Sequence, residues 1–312
     1  MLNLFQHPAS HNVYENTRSQ RMLTPEEEKY VLSNAYIPEH ILNLMVPISK
    51  GEPYLRSGYL YFLKENWIIF VGYPLEHAFR TEDLERVLDA TIKEHKPKYL
   101  WLIAPEIPHP LIQSCKEKES DHYYKLELDG FEVKKDMLRA IRKASKDLKV
   151  ERGRGILKEH AILISEFIEN ERPRALIREL FLGMEEYVNI SKDAIVLSAF
   201  DKQGGLTAFY VVEMGAFNFA TYVVGCYSRV NYVPNASDLL FFEMINLAKE
   251  NSKGYIHLGL GVNEGIRRFK EKWGGVPFLK YEFCEYRPPK GITGILDMMR
   301  MLAEGSFREE KL

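Results

Sequence analysis

The chain has 312 residues, and its 42 Lys and Arg against 44 Asp and Glu give a formal net charge of −2. Apolar residues make up 46% and charged residues 28%, which excludes a disordered, collagen-like or coiled-coil chain and argues against a dedicated nucleic-acid binder. One core seldom grows beyond about 250–300 residues, so two domains are expected.

The first 25 residues read as a polar arm with no signal-peptide core. Thr24-Pro-Glu-Glu opens a short helix, with Thr as cap and Pro in the first turn. Tyr59–Leu63 and Trp67–Val71 form a hairpin. Thr81 caps a helix to about His95 with Leu84, Val87, Leu88 and Ile92 on one face, and Pro97 ends it. Tyr99–Ala104 is apolar throughout, as in a strand buried on both faces. Tyr123–Leu128 alternates and closes this half.

Glu132–Lys149 follows as a helix with Met137, Leu138, Ile141, Ala144 and Leu148 in its apolar stripe. Nine basic and three acidic residues lie between Lys134 and Arg154. They read either as a solvated helix face or as a site for phosphates.

The second half repeats the order. Ala194–Phe200 is a buried strand, Leu206–Met214 and Phe217–Tyr227 a meander, and Ser237 caps a helix that Gly254 ends. Tyr255–Leu260 and Tyr281–Tyr286 are the remaining strands. Helix cap to next strand is 18 residues in both halves, and that strand to the closing one is 24 and 26. Two copies of one β-β-α-β-α-β unit produce such spacing. The expected fold is therefore α/β, with mostly antiparallel sheets flanked by helices, each split near one parallel pair.

Cys115, Cys226 and Cys284 are odd in number and lack metal spacing, so reduced thiols of a cytoplasmic protein are expected. The longest apolar runs are of strand length, so no membrane span is expected. The histidines offer His-x-x-x-His spacing only at His7/His11, so no metal site is expected.

The most informative stretch is 258–275, LGLGVNEGIRRFKEKWGG. Asn263 caps a helix from Glu264 to Trp273, and Gly274 supplies its left-handed stop. At about 100° per residue, Lys270 falls beside the stripe of Ile266, Phe269 and Trp273. There it either snorkels to water or lies in a partly dry cleft, where its charge would stabilise an oxyanion. Glu213, ending a strand in an apolar run, is a candidate general base or an exposed strand end. Tyr222, Tyr227 and Tyr232 cluster before the Pro234 loop, as substrate contacts or packing. Asp238 serves the helix dipole or the site, and His257 reads as a core histidine.

The pattern Gly261-x-Asn263-x-Gly265-Ile266-x-x-Phe269-Lys270-x-x-Trp273-Gly274-Gly275 resembles the strand–helix end of Fem-type peptidyl transferases, and more widely the Gcn5-related N-acetyltransferase (GNAT) superfamily. Met137–Lys146 resembles their Arg-x-x-Ile-Arg-Lys-Ala segment. The resemblance implies two tandem GNAT-like domains, at 1–130 and 131–290, before a helical tail at 291–312. It also implies transfer of an acyl or aminoacyl group to an amine. Lys270 would be the oxyanion partner and Phe269 would shape the pocket. Arg139, Arg142 and Lys143 would lie near an acidic or phosphorylated substrate. Arg267, Asn263, Tyr227, Arg229, Asn235, Ser237 and Asp238 complete the expected binding set.

One departure stands out. The loop from Arg229 to Asp238, where superfamily members hold the coenzyme A pyrophosphate, has no glycine and contains Pro234. An aminoacyl-tRNA, an acyl carrier protein or an atypically bound thioester such as an acyl-CoA thus remain as donors. The alternative is a non-catalytic module that binds a phosphorylated ligand or an acidic carrier protein.

Overall fold

The computed structural model describes residues 23–173 and 175–287. The expected arm up to residue 22, His7/His11 and the tail at 291–312 lie outside the described residues.

Thr24 forms a full capping box with Glu27 at the head of α1 (Pro25–Asn34). A single 3₁₀ turn, Pro38–His40, and α2 (Leu42–Ser49) follow. The first half then runs β1 (Glu52–Arg56), β2 (Tyr59–Lys64), β3 (Trp67–Val71), α3 (Thr81–His95), β4 (Tyr99–Ala104), α4 (His109–Ile112) and β5 (Cys115–Glu127). The second runs α5 (Lys135–Ala144), β6 (Leu148–Gly153), α6 (Lys158–Glu171), α7 (Ala175–Leu182), α8 (Met184–Ile190) and β7 (Ala194–Asp201). It continues through β8 (Leu206–Glu213), β9 (Phe219–Tyr227), α9 (Ala236–Glu250), β10 (Tyr255–Leu260), α10 (Glu264–Lys272) and β11 (Val276–Tyr286).

Among the described residues, all eleven strands join one sheet in the order β1-β2-β3-β4-β11-β5-β10-β9-β8-β7-β6. Only β3/β4 and β9/β10 are parallel. The closing strands have changed places. β5 ends the first half but pairs with β10, and β11 ends the second half but pairs with β4. They meet each other in a long antiparallel ladder at the centre. Thus β2-β3-β4-β11 on one side answers β8-β9-β10-β5 on the other, as the repeated spacing predicts for the elements but not for their exchange.

Alternation sends neighbouring residues to opposite faces. One face carries Tyr124, Ile256 and Leu258 under α5, α9 and Trp273, and beside them the α3 core. The other carries Tyr123, Phe219 and Tyr255 under α2 and α6–α8. Here α2 contributes to the cores of both halves, Leu44 to one and Leu42 and Met45 to the other.

Several sequence expectations are corrected. Thr81 is the first helical residue and Arg80 the cap. Ser237 is likewise inside α9, whose cap is Asn235, held at φ 66° with no side-chain capping bond. The helix expected over 132–149 is only Lys135–Ala144, because Leu148 onward pairs antiparallel with β7. Ladder hydrogen bonds and burial of Leu148 outweigh continued helical periodicity. The left-handed residue after α9 is Ser252 (φ 54°), not Gly254, whose N–H instead donates to Asn218 O at 2.8 Å. The three thiols are not all reduced, since Cys115 and Cys284 form a disulfide between β5 and β11. Pairing of the exchanged strands brings them together, which sequence spacing could not show. Cys226 is free and buried. Among the described residues, no helix is long and apolar enough to cross a membrane.

Candidate active site

The site begins where a ladder stops. β9 and β10 pair only through Phe219/Tyr255, Ala220/Ile256 and Thr221/His257. Beyond His257, β10 bulges on its other side, against β5, and Gly259 takes φ +71°. A side chain there would be strained. The two strands therefore part while β9 still runs on to Tyr227.

α10 follows the open end of β10. Asn263 caps it as expected, accepting from the Ile266 N–H at 2.9 Å. Gly274 supplies the left-handed stop at φ +89°. A Cβ on Gly275 would lie 2.9 Å from the Lys270 carbonyl oxygen and 2.7 Å from the Leu258 side chain. The two terminal glycines thus let α10 end tightly against β10. Gly261 is wedged in the same way between Asp121 and the Arg267 side chain.

Lys270 is 6% exposed and does not snorkel to water. Its Nζ donates to the Leu260 carbonyl at 2.5 Å and lies 5.6 Å from the centre of the Tyr124 ring. Burial lowers its pKa to about 8, against an opposing pull from Asp121. An ammonium group is therefore kept beside the parting strands at a desolvation cost, where its charge acts more strongly than in water.

Asp238 explains how α10 is held. It is buried, and one oxygen, Oδ1, accepts from Lys272 Nζ at 2.6 Å and from the Trp273 indole N–H at 3.0 Å. This ties the end of α10 to the first turn of α9. Phe269 packs edge-on against Phe241 of α9, with ring centres 5.4 Å apart. Ile266 is exposed, so the apolar stripe is narrower than the helical count implied.

The other expected residues separate into groups. Tyr227 and Tyr232 are exposed in and after the end of β9, and Arg229 is ion-paired with Glu171. Ser237 uses its carbonyl to accept from the Tyr210 hydroxyl at 3.1 Å. Tyr222 packs edge-on against Tyr210, with ring centres 5.0 Å apart. Arg139, Arg142 and Lys143 are exposed on α5, which packs beside α9 on the same face of the sheet as Trp273.

Glu213 is not brought to Lys270. It is fully buried on the opposite face, where its carboxylate accepts from the Tyr187 hydroxyl, the Ser191 hydroxyl at 2.8 Å and the Gly215 N–H at 2.8 Å. Burial raises its pKa while these bonds pull it back. Both oxygens are committed, so it fixes α8 to the sheet rather than receiving a substrate proton.

A second cluster was not singled out in the sequence. On the face opposite Tyr124, His257 stacks edge-on against Tyr123, with ring centres 4.9 Å apart, and the buried Tyr123 hydroxyl lies near Glu39. Thr221 stands beside His257 on the last paired rung. Among the described residues, Thr221 Oγ1 and His257 Nε2 are buried without a hydrogen-bond partner, while the Tyr123 hydroxyl faces the Glu39 carboxyl. Burial raises the Glu39 pKa to about 7. Burial, with Lys270 and His40 adding to it, pushes His257 well below its ordinary value. The only trace in the sequence is a Pro-Glu-His turn set between Ile37 and Ile41.

No family model matches the chain, and no curated protein matches it. Solved structures do. FemX aligns over 84% of this chain and 95% of its own length with a TM-score of 0.57 at 14% identity. L-PGS from Bacillus licheniformis aligns over 91% of this chain and 99% of its own with a TM-score of 0.54 at 13% identity. A tandem GNAT protein from the clavulanic acid biosynthesis pathway aligns over 84% and 95% with a TM-score of 0.51 at 14% identity. At such identities the likeness concerns architecture, and this chain is built on the GNAT-like fold that FemX, L-PGS and the tandem GNAT protein share.

Proposed function

We propose that the chain is an N-acyltransferase, built as two tandem GNAT-like units at 1–130 and 131–290, that moves an acyl or aminoacyl group onto an amine. The observation that carries this reading is the buried Lys270 ammonium beside the parting of β9 and β10. An extended thioester or ester fits between two strands whose ladder has stopped, because the backbone groups there are no longer committed to each other. Attack on its carbonyl develops an oxyanion, and a fixed cation in a dry site stabilises that charge without reorganising water. Phe269 and Trp273 hold α10 in place, and Asp238 is the positioning residue that locks its end.

The donor is carried outside the gap. The turn before α9 offers a non-glycine cap at φ 66°, Pro234 two residues after Tyr232, and the Asp238 carboxylate in the first helical turn. Proline removes a donor and the carboxylate opposes a pyrophosphate. The exposed Arg139, Arg142 and Lys143 on α5 are better placed to meet an anionic carrier, such as tRNA or an acyl carrier protein. A cytoplasmic setting suits such donors.

The test is single-turnover transfer from a panel of activated donors, acyl-CoA, acyl carrier protein and aminoacyl-tRNA, to a mixture of amines. Transfer from one donor class that disappears in Lys270→Ala supports the reading. A Lys270→Ala protein that folds and transfers at the wild-type rate overturns it.

A further inference from the structure

The turn that leads β10 into α10 holds strained backbone. Val262 takes φ 58°, and among the described residues it is the only β-branched residue at positive φ apart from glycines. A β-branched residue rarely adopts that conformation, because its branch crowds the backbone. The Asn263 N–H donates to Gly261 O at 2.7 Å, which closes a three-residue turn of the strained kind on Val262. The Val262 side chain is 65% exposed, so burial does not offset the strain. Strain of this sort persists only where the surroundings impose it.

Asp121 of β5 imposes it. The β10/β5 ladder ends at Leu260/Tyr123, and the same register sets Val262 opposite Asp121 two residues further on. There the side chain takes over from the backbone, and Asp121 Oδ2 accepts from the Val262 N–H at 2.8 Å. Its Oδ1 accepts from the His122 N–H at 2.7 Å, so both oxygens are fixed. Gly261 makes room for this approach, since a Cβ there would lie 2.8 Å from Asp121 Oδ1. Two residues before Val262, the Leu260 carbonyl receives Lys270 Nζ. Asp121 and Lys270 therefore hold the two ends of one three-residue segment, 260–262.

We propose that Asp121 is a second positioning residue of this site: its carboxylate replaces the missing rung, holds the Val262 turn, and so sets where the Leu260 carbonyl places the Lys270 ammonium. Its bearing on catalysis rests on the transfer reading above; its hold on Lys270 does not. A strand from the first half of the chain thereby sets the geometry of a site in the second. The carboxylate also acts on the ammonium by charge. The titratable and charged groups on the elements around Lys270 are Tyr124 and Asp121 on β5, His257 on β10, Asp238 on α9, and Arg267 and Lys272 on its own helix. His257 is pushed well below its ordinary value and carries no charge, and Asp238 is taken up by Lys272 and Trp273. Asp121 is thus the negative group whose pull favours the charged form of Lys270. Tyr281 of β11 pairs with Asp121 in the ladder, and burial pushes its hydroxyl well above the ordinary value, so it adds no competing charge.

The experiment follows two probes in the full chain, without any acyl donor: the Val262 amide by hydrogen exchange, and the Lys270 ε-carbon by ¹³C NMR across pH. Wild type is expected to protect the Val262 amide and to titrate Lys270 at about 8. Asp121→Ala removes both grip and charge, so Val262 exchange should speed up about tenfold or more. In the same variant the Lys270 acid dissociation constant should rise about threefold or more, because an opposite charge is lost. Asp121→Asn is the milder variant, which keeps an acceptor for the Val262 N–H and removes the charge, and the Lys270 constant should rise here too. A brace that served stability alone would lower the melting temperature and leave the Lys270 titration where it was. Val262 exchange no faster in Asp121→Ala, or a Lys270 constant within about 1.5-fold of wild type in both variants, overturns the proposal. A Lys270→Ala protein that transfers at the wild-type rate removes the oxyanion role while Val262 stays protected by Asp121, so the two readings fail separately. Thermal melts of each variant separate a moved site from a lost fold.

Discussion

The two parallel strand pairs of this protein have the same connection and opposite behaviour. β3 and β4 stay paired over five rungs from Trp67/Tyr99 to Val71/Ile103, and the Gly72 N–H adds a bond to Ile103 O at 2.7 Å. A Cβ at Gly72 would lie 2.7 Å from the Ala104 Cβ, so the strands remain pressed together past the ladder. β9 and β10 stop after three rungs and part around Gly259. Closure of the first pair and opening of the second divide the labour. The first pair is packed shut, and the candidate site with Lys270 lies at the second.

The sharpest way to break this comparison is to remove the cation at the open pair. Lys270→Ala is expected to lower single-turnover transfer about 10²–10³-fold, as loss of one oxyanion partner does elsewhere, with an unchanged circular dichroism spectrum. A matching change at the closed pair, Gly72→Val, should do the reverse. Overpacking costs about 1–3 kcal/mol, so it should lower the melting temperature while transfer per folded molecule stays within about twofold. A fall in transfer equal to that of Lys270→Ala would show that the closed pair is also a working site.

The exchange of closing strands can be sharpened through its disulfide. Cys115 and Cys284 are 169 residues apart in sequence, so the bond closes a long loop of the unfolded chain. Reduction, or Cys115→Ser with Cys284→Ser, should cost about 2–5 kcal/mol, read as a shift in the denaturant midpoint. Loss of the anchor at the open pair should cost less. Asp238→Asn keeps an acceptor for the Trp273 indole but weakens the pull on Lys272, so stability should fall by about 1 kcal/mol. Transfer should fall more than that stability loss explains if Asp238 positions Lys270 through α10.

The pH dependence of Lys270 gives the smallest effect. Its folded pKa, about 8, lies below the ordinary lysine value. The ammonium is thus disfavoured in the fold, and stability from this group rises as pH climbs from about 8 toward the ordinary value. Transfer that needs the ammonium should fall over the same window. Lys270→Arg should move the falling limb of the rate profile upward, and Lys270→Met should flatten the alkaline rise in stability.

Much of this was legible in the residues. The continuous apolar run at Tyr99–Ala104, the Thr24 cap, the Asn263 cap and the Gly274 stop are local instructions, and each is obeyed. Lys270 was legible as an edge residue of a stripe, though not as buried, because one helical face does not say what packs against it. Glu213 misled because an acid at a strand end looks the same whether it meets water or three donors. Glu39 was silent, since its neighbour Tyr123 lies 84 residues further along.

The chain by itself thus determined most of the repeated strands and helices, their order, and the local caps at Thr24, Asn263 and Gly274, because those rest on periodicity and on hydrogen bonds within a few residues. Only the tertiary structure decided that β5 and β11 trade places, that one parallel pair closes and the other opens, and which carboxylates are satisfied. Those outcomes depend on strand pairing and burial between residues far apart in sequence, where no local pattern carries the information.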